Sequence, residues 1–311
     1  MSIITTGDIP SLLRPGLYEV KAQYERFKGE YTKIYEQANS VKHTERLVDI
    51  RGTGYALEKS QGAPIKMDTM GERFIYEFIH REFGLGFQIT NIAMEDDLYA
   101  DQFFNGTKSL TTSYEQTREV IAMNPFNQAF NLGALMANGQ PLCSGSQPYD
   151  GGTYSNRVGW YNGAAVTVNV DFSETGVEQA VILAGKMKDQ AGLLINGQIE
   201  KLVLPQDLMF SGCRLLESTF RTGTANNDIN AIYNMKAIPQ GYEINHFLTS
   251  PSNWFGLTNV KGTRKHFVRR PLKINVSTDP VTETMSIMSS GRYSFGMFTP
   301  LGVIGATGST A

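Results

Sequence analysis

The chain has 311 residues, of which 41% are hydrophobic, and a formal net charge of -2 at pH 7. This composition supports one large or two modest cores, which excludes general disorder, and the charge gives no overall attraction to nucleic acid or anionic membranes. The N-terminus lacks a basic region followed by an apolar stretch, and no apolar run approaches the ~20 residues that span a bilayer, so we expect a protein that is made and kept in the cytosol.

The first forty residues contain an amphipathic pattern that predicts a helix. Pro15 suits its first turn, and apolar residues at spacings of three and four form one stripe, which consists of Leu17, Val20, Tyr24, Phe27, Tyr31 and Ile34. Gly29 interrupts the helix at a cost of about 1 kcal/mol relative to alanine, so the stripe should need a partner. That partner is either the core of the same chain or a neighbouring subunit.

The most informative part of the sequence is a predicted ribbon without a core of its own, at residues 42–90. Strand-like alternation runs from Thr44 to Arg51 and returns from Phe74 to Ile79, and the glycine-rich, charged stretch from Gly52 to Pro64 predicts a loop tip between them. Limbs of about twenty residues would reach roughly 50–65 Å, and an isolated two-stranded ribbon is marginal in water. We therefore predict that the ribbon lies on a neighbouring copy, as in a building block of an assembly.

A long helix is predicted after the ribbon. Alternation continues to Thr90, and apolar residues then recur at helical spacing from Tyr99 to Ile121. Acids crowd its beginning, at Glu95, Asp96, Asp97 and Asp101. The helix dipole favours negative charge there, and we prefer this explanation to a divalent metal site because contiguous acids do not share one helical face.

From Asn124 onward the pattern predicts a mixed domain of short elements. A capping box at Thr175 and Glu178 should start a helix that ends near Gly192. The Asn196-Gly197 turn should join strands 193–195 and 198–204, and a second helix should follow Pro205. Further strands are predicted at residues 233–238, 243–248, 273–276, 285–288 and 293–297.

The sequence offers little that is typical of an enzyme or a metal site. Cys143 and Cys213 lie far apart without a CxxC pattern, which is typical of buried, reduced thiols. The scattered histidines show no metal-ligand spacing: His43, His80, His246 and His266. GxSxG, GxxxxGK[ST] and HExxH motifs are missing. We predict no enzyme, cofactor or metal, although spacing alone does not exclude a hydrolase built from distant residues.

The order of these elements and four local sequences resemble the major capsid proteins of tailed bacteriophages, which have the α+β HK97-like fold. Residues 89–99 (ITNIAMEDDLY) resemble the entry from extended loop to spine helix, especially in relatives of the Mu-like major head subunit. Residues 141–144 (PLCS) and 151–156 (GGTYSN) are similar to axial-domain sequence. Residues 202–205 (LVLP) resemble a strand before the next helix, and residues 292–296 (RYSFG) the last peripheral strand. The resemblance covers nearly the whole chain.

The resemblance implies a subunit that forms hexamers and pentamers of an icosahedral head around double-stranded DNA, located in the virion capsid after assembly in the host cytoplasm. Residues 1–41 would be the N-terminal arm and 42–90 the extended loop. Residues 91–130 and 240–311 would form the peripheral domain with the spine helix, and 131–239 the axial domain. Portal, scaffolding or decoration proteins are implied partners, packaged DNA would be contacted non-specifically, and no membrane is involved.

Two further groups of residues are predicted to contact neighbouring subunits. Lys59 and Lys66 lie near the ribbon tip, where some members of the family form a lysine to asparagine isopeptide bond. We predict no such crosslink, because the sequence shows neither a desolvated lysine nor an acid catalyst.

The second group is the basic run from Lys261 to Lys273, which contains no acid and includes Arg264, Arg269 and Arg270. It either contacts DNA phosphates without reading bases or pairs with acids of the next capsomer, and we favour the subunit contacts.

One alternative shares the predicted fold. An encapsulin-type nanocompartment shell would enclose a cargo enzyme instead of a genome, and sequence features separate the two poorly. The encapsulated material and the neighbouring genes would distinguish them.

Overall fold

The computed structural model describes residues 29–90, 92, 100–161, 163–167, 169–221 and 228–308, with backbone alone for 100–107. Part of the predicted N-terminal stripe lies outside these residues, namely Leu17, Val20, Tyr24 and Phe27.

The first described element is a 3₁₀ turn, Glu30–Lys33, which leads into strand β1, Glu36–Asn39. Gly29 has a φ of 78°, a left-handed conformation that glycine adopts most readily and that interrupts an α-helix. Tyr31 and Ile34 are buried in the core of their own chain, with exposed fractions of 6% and 3%. The prediction of one helix through Ile34 is therefore wrong, and its last residues pack inside the subunit.

The predicted ribbon is confirmed as strands β2 (Thr44–Arg51) and β3 (Gly71–Ile79), which pair antiparallel around the loop 52–70. Its base, however, has support within the same chain. Tyr76 and Phe78 are buried against Phe267, on a distant strand. Among the described residues, the outer part of the ribbon alone extends without apolar cover, so the expectation of a ribbon without any core of its own is corrected.

A four-stranded sheet carries the base of the ribbon. Its order is β1-β12-β13-β4, where β4 spans Arg81–Thr90, β12 Arg264–Asp279 and β13 Thr284–Met297. Strand β1 is parallel to β12, and the other pairs are antiparallel. Strands β12 and β13 are longer than predicted, because β-bulges on both sides of Arg270 disturb the alternation by which a strand is recognised.

The predicted long helix is α1, Ala100–Asn127, and it packs on β13 and β4. Its residues Leu110 and Tyr114 are buried, as predicted. Pro125 lies in its last turn.

A second four-stranded sheet has the order β10-β9-β11-β14. Its strands are β9 (Ile199–Pro205), β10 (Tyr242–Asn245), β11 (Trp254–Thr258) and β14 (Val303–Ala306). The predicted hairpin at Asn196-Gly197 is wrong, because β9 pairs with β10 and β11 instead. A Cβ at Gly197 would lie 2.5 Å from the carbonyl oxygen of Ala184, so this glycine permits close packing on a helix end.

Three shorter helices follow α1: α2 (Glu174–Gly185), α3 (Met209–Leu216) and α4 (Ala231–Asn234). Ser173 caps α2 by accepting a hydrogen bond from the Gly176 amide, so the predicted capping box is wrong, as is the predicted end at Gly192. The strand predicted at 233–238 is wrong as well. Asn230 caps α4 there by accepting from the amides of Ile232 and Tyr233.

Two small hairpins complete the described elements. Strand β5 (Gln147–Tyr149) pairs with β6 (Gly152–Tyr154), and β7 (Trp160–Tyr161) pairs with β8 (Ala164–Ala165).

The core lies on both faces of the second sheet. Alternate residues of β9 point to opposite faces, so Val203 packs with the end of α1 and Leu202 packs with α2. The first cluster also contains Phe126 and Tyr35, which tie the N-terminal segment to α1. The proposed division into arm, loop, peripheral and axial parts stays a prediction.

Candidate assembly surface

The tip of the ribbon, residues 52–70, carries a set of apolar side chains that no other part of the described chain covers. Five of them are 62–86% exposed: Tyr55, Leu57, Ile65, Met67 and Met70. Soluble proteins seldom gather so many exposed apolar side chains in one short segment unless another surface covers them. The tip is therefore the strongest candidate for a contact surface.

Polar contacts give the base of this tip a defined conformation. Asp68 accepts hydrogen bonds from the amides of Gly54, at 2.8 Å, and Thr69, at 2.9 Å, and these bonds lower the pKa of its carboxyl. Arg51 donates to the Thr69 carbonyl at 2.7 Å. The start and end of the tip are thus joined.

Further polar contacts attach the ribbon to the β5–β6 hairpin and to the segment that follows α2. The Nε atom of Arg51 lies 2.7 Å from Asp150 Oδ2. On the adjacent part of the ribbon, Gln190 donates to Asp49 at 2.6 Å, and Arg73 donates to the Gln190 carbonyl at 3.1 Å. These contacts set the direction in which the ribbon leaves its own subunit.

Lys59 and Lys66 are exposed on the tip. Neither forms an ion pair with another residue in the part of the chain that the structure describes. Their contact with a neighbouring subunit, and the expected lack of a covalent crosslink, stay predictions.

The N-terminal segment is held by a buried carboxylate that sequence reasoning missed. Glu119 on α1 is fully buried and accepts hydrogen bonds from the amides of Glu30, at 3.0 Å, and Tyr31, at 3.1 Å. Burial raises the pKa of this carboxyl. The Glu30 carboxylate in turn accepts from the amide of His246 and lies 2.7 Å from its Nδ1. This cluster fixes Glu30 and Tyr31 at the start of the described chain.

Much of the basic run on β12 has partners within the subunit. Arg264 donates to the carbonyls of Ile34, at 3.0 Å, and Gly302, at 2.7 Å. Lys265 lies 2.8 Å from Glu36, and Arg270 pairs with Glu82. Fewer positive charges of this run are free to contact phosphates than the sequence suggests. This weakens the case for a DNA-facing patch. The predicted assembly roles of Arg264, Arg269 and Arg270 stay proposals.

His266 lies within the basic run but serves an aromatic core. It is 1% exposed and stacks on Phe295 with a centroid distance of 4.1 Å, and neither ring nitrogen has a hydrogen-bond partner in the part of the chain that the structure describes. Burial, assisted by the charge of Arg118, lowers its pKa to about 4. The ring is therefore neutral at physiological pH.

We expect His266→Phe to remove part of the acid sensitivity of the subunit. The pKa of histidine is 6.5 without burial and about 4 here, so the unfolded chain binds the extra proton between these values, and stability falls as pH falls from 6.5 to 4. This linkage amounts to about 3 kcal/mol. Urea unfolding at pH 7 and pH 4 should show a correspondingly smaller loss in the variant, whereas His43→Phe, at an exposed histidine, should behave like the wild type. An equal loss in His266→Phe and the wild type would contradict the assignment.

The cysteines differ from each other. Cys143 is buried, as predicted, and burial raises the pKa of its thiol. Cys213 is exposed on α3, so its predicted burial is wrong. The apolar spacing of α3 places Leu215 and Leu216, rather than Cys213, towards the core.

The described residues contain no group of three His, Cys, Asp or Glu side chains that could hold a metal ion. The acids Glu95, Asp96 and Asp97 lie outside them, as does the side chain of Asp101. Among the described helices, none is long and apolar enough to cross a membrane.

Comparison with known proteins gives structural neighbours only. No family model and no curated protein sequence matches the chain. A structure from Microbacterium phage Oxtober96 is similar with a TM-score of 0.59 and 9% identity, over 99% of this chain and 100% of that chain. The asymmetric unit of the bacteriophage PhiM1 mature capsid matches with a TM-score of 0.60 and 9% identity, over 96% and 92%.

A third similar structure is the capsid of an empty GTA particle, with a TM-score of 0.53 and 12% identity, over 99% of this chain and 100% of that chain. These neighbours match nearly the full length of the chain. The predicted fold class is therefore confirmed: the chain has the α+β HK97-like fold found in tailed-phage capsids.

Proposed function

We propose that this protein is a major capsid protein that assembles through hexamers and pentamers into an icosahedral phage head around double-stranded DNA. The single observation that carries the proposal is the ribbon tip, which presents apolar side chains at the end of an extended, polar-anchored ribbon. Such a segment gains stability only when a second surface covers it. Other copies of the chain supply that surface in a closed shell.

The energetics favour assembly through many repeated contacts. Full burial of an apolar side chain such as Leu57, Ile65 or Met67 contributes about 1.5–3 kcal/mol. Association and ordering of the tip consume part of this gain, so a single contact is weak. A shell in which every subunit both presents and covers a tip multiplies the gain, which explains how a weak contact supports a stable particle.

The structural neighbours support the same proposal. The matched chains are described as a mature capsid and as the capsid of an empty particle. The role proposed here is structural rather than catalytic, in keeping with the predicted lack of an enzyme motif. The virion as location, and portal, scaffolding or decoration proteins as partners, belong to this proposal.

Negative-stain electron microscopy with light scattering tests the proposal directly. We expect the purified full chain, expressed alone or with the products of neighbouring genes, to form closed shells of several hundred ångströms. Nuclease-protected DNA in particles from infected cells would support a phage head, whereas an enclosed enzyme would favour the encapsulin-type compartment. A particle of 34.4 kDa under all these conditions would contradict both functions.

We expect deletion of residues 1–28 to give a folded subunit that does not form shells. Because Tyr31 and Ile34 belong to the core, a deletion through residue 41 would damage the fold, so the test stops before Gly29. The measurement is size-exclusion chromatography with circular dichroism. Two full-length variants form a matched pair. Replacement of the apolar residues Leu17, Val20, Tyr24 and Phe27 by serine should likewise prevent shell formation. Replacement of the polar residues Lys21 and Gln23 by serine should not. Native-sized shells from the deletion variant would show that the segment is dispensable.

A further inference from the structure

The outer half of strand β12 forms a free edge of the first sheet. Strand β1 pairs with β12 from Lys265 to Val268, and no described strand pairs with this side of β12 beyond that point. The seven residues from Lys273 to Asp279 are all exposed, and their pairing with β13 contains no bulge. Backbone N–H and C=O groups along such an edge can pair with another strand.

This edge lacks the features by which proteins usually prevent strand addition. Between Lys273 and Asp279 there is no proline and no charged residue, and Ile274 and Val276 are 40% and 55% exposed. The second sheet, by contrast, ends in two strands of only four residues each, β10 and β14. The edge of β12 is therefore long, straight and open to a further strand.

The sequence of this edge, KINVSTD, is complementary to itself in one antiparallel register. When two copies pair about Val276, each Lys273 lies opposite Asp279 of the second copy, and each Ile274 lies opposite Thr278 of the second copy. Opposite charges directly across two strands stabilise an antiparallel pair. Any register that is shifted along the strand separates the lysine from the aspartate, so the charges select this register.

Both charged groups are free to enter this contact. Lys273 is exposed and forms no ion pair with a described side chain. Asp279 accepts hydrogen bonds from the Val281 amide, at 3.0 Å, and the Thr282 hydroxyl, at 2.9 Å, which hold its carboxylate in place and lower its pKa. A carboxylate has about four acceptor sites, so Asp279 can also accept from the ammonium group of a second copy.

Val276 extends an apolar row that crosses the sheet. It lies opposite Ile287 on β13, which in turn lies opposite Phe87 on β4. Residues directly opposite each other in neighbouring strands point to the same face of a sheet. With Val276 of a second copy, the row continues into the second subunit, and the two exposed valines cover each other.

We propose that two copies of the chain pair edge to edge through residues 273–279, antiparallel about Val276, and so join their first sheets into one. Such a contact is isologous, which requires a two-fold axis between the copies. Neighbours within a ring of five or six copies meet through heterologous surfaces instead. The inference rests on the proposed function and places this contact between two capsomers.

Disulfide cross-linking of assembled shells tests the pairing. Val276→Cys, in a Cys213→Ser background, places two cysteines directly opposite each other, with Cα atoms about 4.5–5.5 Å apart. After mild oxidation, most of this variant should run as a dimer on a non-reducing denaturing gel. Thr278→Cys is the matched control, because it lies on the same edge and face but about 14 Å from its copy, beyond the reach of a disulfide.

A charge variant tests the register independently. In the Val276→Cys background, Lys273→Glu places a carboxylate opposite Asp279 of the second copy, so it should lower the yield of dimer. Lys273→Arg keeps the positive charge and should keep the yield. Circular dichroism of all variants would verify the fold. An undiminished yield in Lys273→Glu would overturn the register.

The outcomes separate this inference from the proposed function. Normal shells that give equally little dimer from Val276→Cys and Thr278→Cys would overturn the pairing and leave the proposed function intact. If the wild type forms no shells, the proposed function fails, and the same cross-linking is done on the subunit in solution. A dimer specific to Val276→Cys would then support the edge contact, and a monomer would overturn it.

Discussion

Replacement of Tyr55, Leu57, Ile65 and Met67 by serine is expected to abolish shell formation and to leave the subunit folded. These side chains lie on the exposed tip and contribute little to the core of their own chain. In a shell, each loses about 1.5–3 kcal/mol of burial when it becomes serine. Because the same contact repeats throughout the shell, every contact loses this burial free energy. We therefore expect the variant to form no closed particles at all.

The measurement is electron microscopy and light scattering of the purified variant beside the wild type, with thermal unfolding to verify the fold. Gln61→Ser is the matched control, because it alters a polar residue of the same exposed tip. Shells from the fourfold variant that match the wild type in number and size would refute the role of the tip. A lowered thermal midpoint would instead indicate that the tip contributes to the subunit itself.

Glu119→Ala is expected to destabilise the subunit by about 2–4 kcal/mol, because it leaves the buried amides of Glu30 and Tyr31 without acceptors. The loss of the desolvated carboxylate offsets part of this cost, which is why the expected value is smaller than the sum of two hydrogen bonds made to a charge. The effect should extend to assembly, since the carboxylate anchors Glu30 and Tyr31, which follow the proposed N-terminal arm in the chain.

Urea unfolding of the unassembled subunit measures this effect. Glu115→Ala is a matched control on the same helix, since its ion pair with Arg118 is partly exposed and contributes below about 1 kcal/mol. Glu119→Gln provides a second comparison, because the amide keeps one acceptor and should recover part of the stability. Equal midpoints for Glu119→Ala and Glu115→Ala would show that Glu119 does not anchor the segment.

The sequence predicts those parts of the fold in which local pattern and tertiary packing agree. The limbs of the ribbon alternate over eight or nine residues, and helix α1 shows helical spacing over many turns, so both were predictable. The Asn196-Gly197 turn shows where such reasoning fails. Asn-Gly is a strong local signal for a hairpin, yet β9 pairs with β10 and β11, which are distant in sequence.

The features of the candidate assembly surface are likewise predictable only where a local sequence pattern marks them. The loop tip is predicted from its glycine and charge, but the exposed apolar side chains that make it a candidate contact surface are not predicted from the sequence. Glu119 carries no local signal, because its partner Glu30 lies 89 residues away. A buried polar side chain is specified by long-range contacts, and a single sequence contains no direct record of them.

The pairing of β1 with β12 also constrains the order of events during synthesis. Glu36 lies opposite Lys265, which follows it by 229 residues, so the N-terminal segment has no strand partner in the first sheet until most of the chain has left the ribosome. Contacts of such long sequence separation form slowly and late. A nascent chain thus keeps its ribbon base unfinished until translation is nearly complete. Until then the unpaired edge of β1 and the aromatic side chains of the ribbon base are open to association with neighbouring chains on the same polysome.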